Sequence, residues 1–164
     1  MPCVWKGGGM DAAAIRQRIV DYYAACNRGD VEALAALFTE EVVHYFLAPN
    51  LAPRPVAGRD HLARYWRKVQ AAFDGCWVVD HLVADPAAGE AVIEWTLFWT
   101  PPETGERVAT RGAEWYVFDG ELIAEIRAYY RQEQTSSELE GFPYAERGYS
   151  LLGAEHSAVQ PHPR

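Results

Sequence analysis

Apolar positions recur along this chain with two different periods, and the change of period divides it. From Asp11 to Asn27, Ile15, Ile19, Tyr22 and Cys26 return every three or four positions, with Tyr23 beside them. That spacing predicts one buried helical stripe. Asp11 is placed to cap its start and Gly29 to end it. Asp30 then caps a short helix, VEALAALF, with Val31, Leu34, Leu37 and Phe38 inward. Residues 41–47, EVVHYFL, read as a strand, and the proline-rich APNLAPRPVAG as a loop. A third helix runs from Asp60 to Phe73, with Leu62, Trp66, Val69 and Phe73 on one stripe. Beyond Phe73 the period falls to two, which predicts strands at 76–85, 90–100, 107–118 and 122–130. Helices followed by a strand meander make an α+β plan. The expected fold is a curved antiparallel sheet forming a cone, with three N-terminal helices over its concave face. The hollow inside such a cone is the natural ligand site.

The Asp119-Gly120 turn between alternating runs is a strong hairpin signal. Pairing Phe118 with Leu122 puts Gly112, Glu114, Tyr116, Ile126 and Ala128 on one face. Trp115, Val117, Ile123, Arg127 and Tyr129 then take the other. Glu114 is an acid among apolar neighbours, where an anion is costly. Pairing Thr100 with Val108 sets Glu94 opposite Glu114, whereas a slip of one residue sends Glu94 outward. The same pairing turns Trp95 and Trp99 to the outer face beside Trp115. Such an apolar outer face predicts a homodimer, with Arg111, Glu125 and Arg127 as pairing charges.

Composition narrows the classes. Hydrophobic residues make up 49% and aromatic residues 13%, enough for a core and a lined pocket. A net charge of -8 disfavours nucleic acid and anionic membrane surfaces as partners. No apolar run is long enough to span a bilayer. Cys3, Cys26 and Cys76 form no CxxC, which fits a reducing cytoplasm and indicates neither a disulfide framework nor a zinc site. His61, His81 and Asp80 have no metal-ligand spacing, and Asp80 and His81, as strand neighbours, should face opposite ways. The reading calls for no metal and no cofactor. It divides the chain into a disordered leader (1–10), one domain (11–131) and an extension (132–164) partly docked on that domain.

The stretch DYYAACNRGDVEALAALFTEEV, with N-x-G-D between two helices, is followed later by FDGELIAEIRAYY. Over Asp11 to Tyr130 these resemble the superfamily of nuclear transport factor 2, SnoaL-like polyketide cyclases and ketosteroid isomerases. The resemblance implies the cone fold, on which isomerases, dehydratases, epoxide hydrolases, cyclases and non-enzymes are built. The ketosteroid isomerase pattern implies an oxyanion-hole tyrosine at Tyr22 and an oxyanion-hole acid at Glu114, with Phe46 where the base would stand. His44, on the same side of its strand as Phe46, can take the base role. Glu94 is the alternative base. Phe46, Trp66, Phe98, Tyr116, Ile126 and Tyr130 are expected to line the pocket. The expected function is cofactor-independent acid/base chemistry of isomerase, cyclase, dehydratase or hydrolase type on a small apolar carbonyl, enol or epoxide compound. The alternative is a binding protein, which needs only the aromatic lining.

Overall fold

The computed structural model describes residues 9–164, so most of the expected leader lies outside the described residues. Helix α1 (Ala12–Arg28) starts where the Asp11 carboxylate accepts from the Ala14 amide at 2.8 Å. It stops at Gly29, whose left-handed φ of 63° lets its amide return to the Ala25 and Cys26 carbonyls. Asp30 caps α2 (Val31–Leu37) in the same way, through the Ala33 amide. Strand β1 (Phe38–Leu47) follows without a loop, so Phe38 opens a strand rather than closing a helix. Within the expected loop, β2 (Val56–Ala57) pairs with β1 at Val43 and His44. Then come α3 (Arg59–Phe73), β3 (Cys76–Asp85), β4 (Glu90–Trp99), β5 (Val108–Asp119) and β6 (Leu122–Tyr130).

The six strands lie in the order β2-β1-β6-β5-β4-β3. Every neighbouring pair is antiparallel except β1 with β6. The helices cover one face. Ile15, Ile19, Leu34 and Leu62 share a single core with Ile93, Trp95, Phe118 and Ile126 of the sheet. Each fully buried side chain of this kind stabilises by about 1.5–3 kcal/mol before chain entropy is counted.

The register of β4 corrects the sequence reading. Trp99, not Thr100, pairs with Val108, and the slip of one residue inverts the strand. Ile93, Trp95, Leu97 and Trp99 therefore join the main core, while Glu94 and Phe98 turn outward. The physical reason lies in the two sets themselves: four large apolar side chains against one acid, one threonine and one phenylalanine. Burying the first set wins because each Trp removes about 150–250 Å² from water. Gly112 makes room for it, since a Cβ there would sit 2.5 Å from Trp95 Cζ2.

Two bulges alter the other faces. In the hairpin, Phe118 pairs with Ile123 and Val117 with Glu125, leaving Ala124 as the extra residue. Ile123 is thus turned inward, against expectation, while Ile126 and Ala128 keep the inward positions read from the sequence. A second irregularity, between Val79 and His81, leaves Asp80 unpaired. Asp80 and His81 consequently both point outward instead of to opposite faces. Bulges of this type bend and twist a sheet.

Beyond Tyr130 the chain has no regular element except a bridge between Leu151 and Ala154, and it crosses the outer face. The Ser136 and Ser137 hydroxyls accept from the Ala109 and Arg111 amides. Buried Asp80 accepts from the Ser150 amide (2.8 Å), the Ser150 hydroxyl (2.6 Å) and Thr96 (2.5 Å). Arg111 donates to the Ser150 carbonyl and to Glu138 and lies 4.4 Å from the Tyr144 ring centroid. At the free edge of β3, Gln160 accepts from the Val79 amide and Ser157 donates to its carbonyl. Asn27 holds both backbone groups of Trp77 and donates to the Pro163 carbonyl. An edge satisfied in this way is closed to pairing with another chain. Phe98, with Cys76, Val78 and Ala109, forms a small second core on this outer side.

Candidate active site

Glu114 stands on the inner face of β5, 4% exposed, in a lateral row with Ala128 and Phe46. The methyl of Ala128 is the smallest member of that row. Two phenols converge on the carboxylate: Tyr23, from α1, and Tyr116, two residues along β5, both donate to Oε2. The two phenol oxygens are themselves 3.0 Å apart. On the other side, His44 Nε2 lies 3.6 Å from Oε1. His44 is fully buried, and neither ring nitrogen has a hydrogen-bond partner. Its ring packs against Phe46 and Trp66, with centroids at 4.4 and 5.4 Å.

Burial pushes the hydroxyls of Tyr23 and Tyr116 well above the usual phenol range, and the Glu114 carboxylate adds to the effect. Both therefore remain neutral donors at any ordinary pH. Tyr22 is pushed up by burial as well, next by Cys26 and only then by Glu114. Its ring stands edge-on to Tyr23, Phe38, Trp66 and Tyr116 as a core residue. The tyrosine that binds the acid is thus the neighbour of the one the resemblance implies. Tyr22 and Tyr23 sit about 100° apart on the helix, and both lie within the stripe that the apolar spacing marks.

A cavity opens in front of Glu114. It is small, about 60 Å³, room for a few water-sized groups. Helix α3 supplies Tyr65, Trp66, Val69 and Phe73. The strands add Phe46, Trp77, Trp95, Leu97 and Tyr130, and Gln132 follows β6. Of the residues expected to line it, Phe46, Trp66 and Tyr130 do. Tyr116 and Ile126 are fully buried behind the wall, and Phe98 is on the far face of the sheet. Glu94 is also on that far face, bonded to His81 and Tyr149, and has no part in the cavity. Trp95, missed as a lining residue, follows from the correct β4 register, Trp77 from its pairing with Leu97 of β4, and Phe73 from the third-helix stripe, which Tyr65 adjoins. Among the described residues, no cluster of three or more His, Cys, Asp or Glu side chains is placed to hold a metal, and no helix is long and apolar enough to cross a membrane.

The family model for the SnoaL-like domain matches residues 19–126, and the chain belongs to that family. It is 35% identical to a protein of unknown function with a cystatin-like fold from Methylobium petroleophilum PM1. That match covers 88% of this chain and 95% of the other, with a TM-score of 0.67. A protein of ketosteroid isomerase-like fold from Catenulispora acidiphila DSM 44928, in complex with trimethylamine, is 16% identical over 73% and 88% of the two chains, at a TM-score of 0.63. An LEH-like epoxide hydrolase from M. tuberculosis is 15% identical over 73% and 84%, at 0.61. Identities this low speak for the fold alone. Among curated proteins, none matches the sequence.

Proposed function

We propose that this protein is a cofactor-independent enzyme performing acid/base chemistry on a small molecule held inside the cone, of isomerase, cyclase, dehydratase or hydrolase type. One observation carries the reading: among the described residues Glu114 is the only carboxylate lining the cavity, with Oε2 held by two phenol donors and Oε1 facing His44 Nε2 at 3.6 Å. A carboxylate fixed by two phenol donors and set at an apolar wall is organised to take or return a proton without reorganising. Glu114 is the group that meets the ligand. His44, sealed behind Phe46 and Trp66, does not touch the ligand in this scheme; it is the partner that shares the proton once Glu114 has taken it. Tyr23 and Tyr116 position the carboxylate.

The test is deuterium incorporation. A panel of small ketones and enones is incubated with the protein in heavy water and followed by NMR. Exchange of the hydrogens next to the carbonyl supports the reading. Binding without exchange across the panel favours the binding-protein alternative, which also fits a carboxylate with one oxygen already engaged by two protein hydroxyls.

We also propose that the protein forms a homodimer through the part of the outer face that the C-terminal segment leaves open. With Trp95 and Trp99 inside, this patch centres on Trp115, flanked by Val83 and Tyr129, all three exposed. It carries both charge signs, Glu90 and Glu125 beside Arg127, so it can be complementary to itself across a two-fold axis.

A further inference from the structure

The cavity lining has a one-sided chemistry. Of the eleven described residues that line it, seven are aromatic, one is a carboxylate, and none is Lys, Arg or His. The rings form a continuous belt. Trp77 meets Trp66 at 5.6 Å between centroids, Trp66 meets Tyr65 at 5.2 Å, and Tyr65 meets Phe46 at 5.9 Å. Phe46 meets Tyr130 at 6.4 Å and Tyr130 meets Trp95 at 5.4 Å. Aromatic faces carry negative electrostatic potential and attract cations, indole most strongly. The carboxylate set into this belt accepts two hydroxyl donors on one oxygen, Oε2. His44 behind it, its Nε2 3.6 Å from Oε1, has no hydrogen-bond partner for either nitrogen, and among the described residues no lysine or arginine lines the cavity to pair with the carboxylate. An anionic ligand would meet only Glu114, while a neutral one would leave the carboxylate's field unused.

We propose that the cavity accepts a positively charged alkylammonium group, so that the ligand is an amine-bearing molecule with its cationic nitrogen inside the aromatic belt. The inference rests on the reading of this cavity as the ligand site and names the ligand's class. A cationic nitrogen seated there also stabilises negative charge developing on an adjacent carbon when Glu114 takes its proton.

The experiment compares tetramethylammonium with tert-butanol, a neutral molecule of similar size and shape. Each is titrated against the full-length protein and read by tryptophan fluorescence, since Trp66, Trp77 and Trp95 all line the cavity. The expected result is binding of tetramethylammonium at least about tenfold tighter than tert-butanol. Glu114→Gln should weaken the cation about tenfold and leave the alcohol unchanged, and Trp77→Leu should weaken the cation selectively. Equal binding of the two probes, or cation binding indifferent to Glu114→Gln, overturns the inference. If the variants fail to fold, the comparison on the wild-type chain decides alone. Enones that bind or exchange while tetramethylammonium does not overturn this inference and leave the proposed acid/base site standing. Failure of every probe overturns both.

Discussion

Replacing one of two adjacent tyrosines separates the site in the structure from the site that resemblance alone would draw. Tyr23→Phe removes one of the two hydroxyls that Glu114 Oε2 accepts. A hydrogen bond to a charged group is worth about 1.5–3 kcal/mol, and this one is lost in a buried setting. Tyr22→Phe removes a hydroxyl whose nearest side-chain partner is the Cys26 thiol, worth about 0.5–1.5 kcal/mol. Urea denaturation at pH 7 should therefore rank Tyr23→Phe as the more destabilised. In a double-mutant cycle with Glu114→Gln, Tyr23 should couple to Glu114 by about 1 kcal/mol or more, and Tyr22 by close to zero. The pH dependence follows from the raised hydroxyls. A phenol held above its unfolded value contributes fully below pH about 10, and that contribution is lost as pH rises further. Each of the two variants should then flatten the alkaline fall of stability by about 1.4 kcal/mol per pH unit. A larger neutral-pH cost for Tyr22→Phe than for Tyr23→Phe would refute the assignment.

Gly112→Ala should cost about 1–3 kcal/mol, because the new methyl meets the Trp95 indole; chemical denaturation measures this, and tetramethylammonium quenching should weaken as Trp95 shifts. Asp80→Ala should cost about 1–3 kcal/mol by leaving the Ser150 and Thr96 donors unsatisfied, and amide exchange at Ser150 should speed up while exchange in α1 does not. Trp115→Lys should shift the protein from dimer to monomer in sedimentation with its melting temperature nearly unchanged; a wild-type monomer at micromolar concentration removes the dimer proposal.

Much of the fold was legible because its signals are local. The Asp11 and Asp30 caps, the Gly29 stop and the Asp119-Gly120 turn lie within a few residues of what they control. The inward position of Glu114 was legible for the same reason, since parity counted from a short hairpin carries only a small error. Parity failed where the count passed through an irregularity. The longer PPETGE loop hid the slip that moved Glu94, Trp95, Phe98 and Trp99 to the opposite faces. The extra residues at Ala124 and Asp80 have no sequence mark of the kind a glycine or proline gives. The role of the C-terminal segment was illegible because its anchors, Ser150, Ser157 and Gln160, act through isolated hydrogen bonds to β3 residues 70 to 81 positions away in sequence. Tyr23 is next to Tyr22 in the sequence, and only the three-dimensional position of Glu114 distinguishes them.

The measurement closest to the central claim is the rate of solvent-deuterium exchange into the best ligand of the panel by wild type, Glu114→Gln and His44→Gln under one set of conditions. The account predicts a fall of at least about 10²-fold for Glu114→Gln, with the ligand still bound. It predicts a smaller fall for His44→Gln with binding affinity unchanged, since His44 acts only through Glu114. Wild-type exchange at full rate in the Glu114→Gln protein would contradict it.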